Sequence, residues 1–233
     1  MADPSGLPAT SVPTATSLTS IYPPELLEAQ AARWSSLLGR FRTLYGRPAQ
    51  FVSRSPGRVN LIGEHIDYSL YGVLPMAVAA DALLAVAILE ESDGPSSPDG
   101  SVTVKLANVD DARYPAREVR VSASGEVDID ASVHEWTNYF KAGLRGAMEL
   151  LVKKGGGGKL ARPPKSLAVL MDGSVPAGGG LSSSAAFVSA SALATMVANG
   201  EGSIAGGDVS VDKKELTELA IVSERAVGVN SGG

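Results

Sequence analysis

The chain has 233 residues, a net charge of −5 and 44% hydrophobic residues, which suits one sizeable domain or the larger part of a two-domain protein and gives no cationic field to attract nucleic acid. It contains no cysteine, which excludes disulfides, thiolate metal sites and thiol catalysis. No apolar run approaches the ~18–20 residues needed to span a bilayer, and no basic-then-apolar leader opens the chain, so no membrane association and a cytoplasmic location are expected.

Residues 1–20 are rich in Ser, Thr, Pro and Ala without periodicity and read as a disordered tail. Pro23-Pro24 opens a helix with Leu27, Ala31, Trp34, Leu38, Phe41 and Tyr45 along one face, and Gly46 supplies its stop. Short β-rich runs follow: Phe51–Ser53, Arg58–Ile62, Val73–Ala79, Leu83–Leu89, Val102–Ala107 and Glu118–Val121, with a loop over 92–100. A second helix is predicted over Glu135–Lys153, with Trp136, Phe140, Leu144, Ala147 and Leu151 inward and Glu149 paired to Lys153 outside. The segment 155–164 reads as a connector and Ser166–Met171 as a strand. A third helix runs from Ser183 to about Ala198, and a fourth spans Asp212–Val227, with Asp212 as N-cap and Glu215 three residues on. The pattern predicts an α+β domain whose mixed sheet carries its helices on one face.

Two segments concentrate chemistry. The first in strength is 175–186, VPAGGGLSSSAA. Glycines permit positive φ and close backbone approach, and the serines lead directly into a helix former run. That order aims amide hydrogens at the positive end of a helix, where anions bind. Serine hydroxyls can add donors to phosphate, and one can ligate Mg²⁺. No Lys stands in the turn, and the usual glycine patterns for nucleotide phosphates are absent. A glycine-rich hairpin or serine-capped helix without a ligand would look similar.

The second segment, 55–68, SPGRVNLIGEHIDY, packs Arg58, Asn60, Glu64, His65 and Asp67 into ten residues. Glu64, His65 and Asp67 offer paired acceptors and donors of the kind that fix ligand hydroxyls, and one carboxylate can accept two of them. Arg58 is a permanent cation able to hold a carboxylate ionised or to offset phosphoryl charge. A surface turn with local ion pairs is the alternative. With two histidines, His65 and His134, and no cysteine, a histidine-based zinc site does not fit.

Together these segments resemble the galactokinase branch of the GHMP kinases. GRVNLIGEHIDY (57–68) with YGVLPMAV (71–78) is similar to the galactokinase signature, and GGGLSSSAA (178–186) to the GHMP phosphate loop. WTNYFK (136–141) resembles a helix contributing to the adenine pocket, and ERAVGVNSGG (224–233) the approach to the family's third element, with fungal character. The similarity covers roughly residues 20–233. It implies a GHMP N-terminal domain over 21–233, binding ATP and sugar, incomplete at its C-terminal end and with the second domain missing.

The resemblance also implies roles. Glu64, His65 and Asp67 would bind galactose hydroxyls, and Gly232 would contact the sugar through its backbone. Arg58 would lie between the sugar O1 and the catalytic carboxylate. Gly178, Gly179, Gly180, Ser182 and Ser183 would wrap the ATP phosphates. Ser183 and Glu224 would ligate Mg²⁺, and Trp136 would pack near adenine or serve as a core anchor. In relatives the closing Gly-Gly is followed by Met-Asp, that Asp being the base, whereas this sequence stops at Gly233. The implied activity is phosphorylation of galactose at its anomeric hydroxyl, the given stretch being inactive alone. The alternatives are a sugar and ATP sensor docking a regulatory protein, or a kinase of N-acetylgalactosamine.

Overall fold

A computed structural model describes residues 10–63, 66, 69, 71–90, 97–133, 135–200 and 211–227. Strands β1 (Phe51–Ile62), β2 (Leu74–Ile88), β3 (Val102–Asn108), β4 (Arg117–Val121) and β5 (Leu167–Gly173) form one sheet in the order β1-β2-β5-β3-β4. The β3–β5 pair is parallel and the other three pairs are antiparallel, so the sheet is mixed as expected. The helices are α1 (Leu27–Tyr45), α2 (Thr137–Gly155), α3 (Ser183–Asn199) and α4 (Lys213–Glu224).

The placement of the helices departs from the one-faced expectation. Leu84, Val86, Val104, Leu106 and Val169 pack with Phe140 and Leu144 of α2 and with Ala186, Phe187 and Ala190 of α3. Leu83, Ala85, Ala87, Ala168 and Leu170 point the other way, onto Leu37 and Phe41 of α1. Burial on both faces is why residues 82–87 of β2 read as an unbroken apolar run rather than an alternation. The third layer forms where α4 closes on α2 and α3 through Ala147, Ala192, Met196, Leu216 and Leu219.

Two breaks expected in the strands do not occur. Pro56-Gly57 reads as an interruption, yet β1 continues through it. Because β1 is an edge strand, a missing Pro N–H costs no internal ladder bond, and a register shift between Pro56 and Arg58 absorbs the irregularity. Asp81 reads as a strand end, yet β2 continues through it because its carboxylate is fully partnered inside the protein.

Smaller differences have local causes. Along α1 it is Leu37 and not Leu38 that is buried, because Leu37 shares the sheet-facing stripe with Trp34, Phe41 and Tyr45; a 3₁₀ turn, Pro24–Leu26, precedes the helix. Gly46 ends α1 in the left-handed conformation, as expected. Glu149 pairs with Arg145 at 2.9 Å instead of with Lys153. Asp212 caps α4 by accepting from the amides of Lys214 and Glu215, but the Glu215 side chain reaches Lys154 at 2.5 Å rather than closing a capping box. The helix stops at Glu224, followed by a 3₁₀ turn, Arg225–Val227. Within the stretch expected to be a tail, Ser11 bridges Asp212, the Val12 amide donates to Val211, and the Lys213 amide donates to Thr10. Among the described residues no helix is long and apolar enough to cross a membrane.

Candidate functional site

The glycine loop lies between β5 and α3. Gly178 and Gly180 take φ of 72° and 71°, a region where an L side chain is strained. A Cβ at either would meet nothing within 4 Å, so backbone conformation and not crowding calls for glycine there. Gly179 sits between them, its amide donating to Pro176 at 3.2 Å. Ser182 follows with φ 55°, the only non-glycine positive φ among the described residues. It stands at the N-cap of α3 without a side-chain capping bond. By helix geometry the amides of Ser183, Ser184 and Ala185 lack intrahelical acceptors, whereas the Ala186 amide already donates to Ser182 O at 3.0 Å.

The strand carrying the first constellation runs directly beside this loop. The Arg58 amide donates to Leu181 O at 3.0 Å. A Cβ at Gly57 would stand 2.9 Å from Leu181 O and 3.0 Å from Val175, so only glycine lets β1 and the loop approach this closely. Ser53, two turns of the pleat earlier, donates its buried hydroxyl to Ala190 O at 2.8 Å and pins β1 to α3. Arg58, Gly178, Gly179, Gly180, Ser182 and Ser183 are thus brought together at the N-terminal end of α3. Glu64, His65, Asp67 and Gly232 lie outside the described residues, as does His134.

Trp136 reaches the same end of α3. Its ring stacks on Phe187 at 6.1 Å and 11°, tilts against Tyr114 at 5.9 Å, and donates through Nε1 to Pro115 O at 3.1 Å. The indole therefore has a packing role whatever else it contacts. Glu224, 2% exposed at the end of α4, lies near Tyr139 of α2. Burial, and then the Glu224 charge, push the Tyr139 phenol above its ordinary value.

Sequence reasoning missed a polar cluster at the root of the loop. The Asp81 carboxylate, 0% exposed, accepts from Tyr22 Oη at 2.6 Å, Arg33 at 2.5 Å and Arg54 Nε at 2.6 Å. Arg33 also donates to Asp172 at 2.9 Å, Trp34 Nε1 donates to Tyr22 Oη at 3.2 Å, and the Arg54 guanidinium lies 4.8 Å from the Tyr22 ring centre. The signal was present: a single carboxylate in the apolar run from Val73 to Leu89. A lone acid inside the buried half of a strand must have cationic or hydroxyl partners, or that half does not form.

Comparison with known proteins places this geometry. The galactokinase galactose-binding signature matches residues 39–88, and the GHMP kinases N terminal domain matches residues 138–233. The galactokinase of Saccharomyces cerevisiae is 41% identical over 210 residues, covering 90% of this chain and 37% of that protein. The galactokinase of Candida parapsilosis is 39% identical over 206 residues, covering 88% and 36%. A Candida maltosa galactokinase sequence is 37% identical, with 89% of this chain and 86% of that sequence covered. The chain thus spans a little over a third of the length of the first two relatives. Among solved structures, Lactococcus lactis galactokinase complexed with galactose matches with a TM-score of 0.60 at 26% identity, over 85% of this chain and 44% of that one. Methanococcus jannaschii mevalonate kinase, at 15% identity and a TM-score of 0.52, shares the fold over 76% of this chain and 46% of its own.

Proposed function

Because this chain belongs to the galactokinase family, we propose that the whole protein transfers the γ-phosphoryl group of ATP to the anomeric hydroxyl of galactose, giving galactose 1-phosphate. The observation that carries this reading is the 3.0 Å bond from the Arg58 amide to Leu181 O, which sets the sugar-signature strand edge to edge with the glycine loop. Donor and acceptor of a phosphoryl group must be held within reach of each other, and catalysis of this kind is mostly positioning and charge neutralisation.

In this reading Gly178, Gly179, Gly180, Ser182 and Ser183 hold the ATP phosphates with amide and hydroxyl donors. Glu64, His65 and Asp67, just beyond the end of β1, hold the galactose hydroxyls, and Gly232 adds a backbone contact. Arg58 offsets charge on the transferring group. Trp136 borders the adenine with the edge that its Phe187 stack leaves outward. Ser183 and Glu224 supply the oxygen donors that Mg²⁺ prefers, and the ion would neutralise phosphate charge. A cytoplasmic location is part of the same proposal.

A coupled assay of the whole protein with ATP, Mg²⁺ and galactose tests the reading. Turnover that requires all three and is not displaced by N-acetylgalactosamine is the expected outcome. Absence of galactose-dependent ATP consumption would sink it.

A further inference from the structure

We propose that Asp81 is a positioning residue for the nucleotide, acting on the glycine loop through Ser174. Ser174 is the last residue before the loop begins at Val175, and it is joined to Asp81 in both directions. The Asp81 amide donates to Ser174 Oγ at 2.9 Å, and the Ser174 amide donates to Asp81 O at 2.8 Å. One residue further, Val175 lies against Gly57, the point where β1 meets the loop. The position of Asp81 along β2 therefore decides where β5 releases the chain.

Asp81 itself is held from the opposite side of the sheet. Arg33 of α1 donates to the Asp81 carboxylate, to Asp81 O at 3.4 Å, to the Asp172 carboxylate and to Asp172 O at 3.3 Å. It thereby clamps Asp81 of β2 to Asp172 of β5, beside the last register pair before the loop, Ala82 with Gly173. Arg54 of β1 and Tyr22 close the remaining carboxylate oxygen. One buried carboxylate thus ties α1, β1, β2 and, through Arg33, β5 together within three residues of the loop's start. A fold needing only stability at this depth would be served as well by apolar side chains of similar volume, since buried ion pairs return little net stability. What the cluster supplies is a fixed geometry, which a phosphate cradle requires to within fractions of an ångström.

The inference rests on the nucleotide site proposed above. Its test uses the whole protein with ATP as the probe and two variants, Ser174→Ala and Asp81→Asn. Ser174 is exposed, so water can take the place of its Oγ at the Asp81 amide and Ser174→Ala should fold, which keeps the test valid even where Asp81→Asn folds poorly. The expected result for Ser174→Ala is a rise of about tenfold in the KM for ATP, or an equal loss in kcat, with the KM for galactose changed less than about twofold. Asp81→Asn should show the same split, larger. Equal losses toward ATP and galactose, or kinetics unchanged in Ser174→Ala, overturn the inference. Wild-type protein that neither binds nor consumes ATP overturns the underlying reading instead, so the two failures are told apart.

Discussion

At the scale of single residues, Gly57 joins the two halves of the site. Replacing it with Ala would set a methyl group 2.9 Å from Leu181 O and push the loop off β1. The expected outcome is a fall of more than tenfold in affinity for ATP, read by titration calorimetry, with the far-ultraviolet dichroism of the folded protein retained. Ser182 makes the converse case. Its left-handed φ of 55° costs about 1 kcal/mol or more that glycine would not incur. Ser182→Gly should therefore raise the denaturant midpoint slightly while weakening ATP binding through the lost hydroxyl. Tyr45 carries a third prediction. Burial pushes its phenol up to about 12, the hydroxyl donating to Val169 O at 2.9 Å and Lys105 O at 3.2 Å. A raised folded value means that protonated tyrosine stabilises the fold below its ordinary titration near 10. That contribution is lost as pH climbs from 10 through 12. Denaturant midpoints should fall steeply across that window, and Tyr45→Phe should flatten the fall while costing roughly 1 kcal/mol at neutral pH.

At the scale of elements, what was legible in the sequence follows from which signals are local. Helix ends were readable because their causes lie within four residues: Gly46 at the end of α1, Asp212 at the start of α4, Ser183 after the glycine loop. The glycine loop itself was readable for the same reason. The strand breaks were misjudged at Pro56 and Asp81 because what rescues each is distant. An edge position rescues Pro56, and side chains from residues 22, 33 and 54 rescue Asp81. Side-chain partners on helix surfaces failed for a related reason: Glu149 had a second cation in reach at Arg145, and Glu215 met Lys154 from a helix distant in sequence instead of the cap amide. Removing the Asp212 cap by Asp212→Ala should cost about 1 kcal/mol and speed amide exchange in the first turn of α4. Truncating Phe140, 0% exposed between α2 and the sheet, should cost about 3–5 kcal/mol in urea denaturation.

At the scale of the molecule, the sheet is unevenly finished. Leu61, Ile62, Tyr71, Leu74 and Met76, 47–70% exposed, gather at the far end of the β1–β2 pair. The 233-residue chain by itself should bind a hydrophobic dye there, and Ile62→Ser with Met76→Ser should reduce that binding without shifting the denaturant midpoint by more than about 0.5 kcal/mol. The same unevenness runs along one strand. From Ala82 to Ala87, β2 is sealed between two layers, while from Leu74 to Ala77 it stands in solvent. Deuterium uptake along β2 should then be graded. Amides near Val86 would open only when the whole protein unfolds, and those near Met76 would exchange by fraying of the hairpin tip. A rigid half of β2 thus adjoins the root of the glycine loop, and a yielding half pairs with Ile62 at the end of β1, so opening at that end leaves the loop end of the sheet in place.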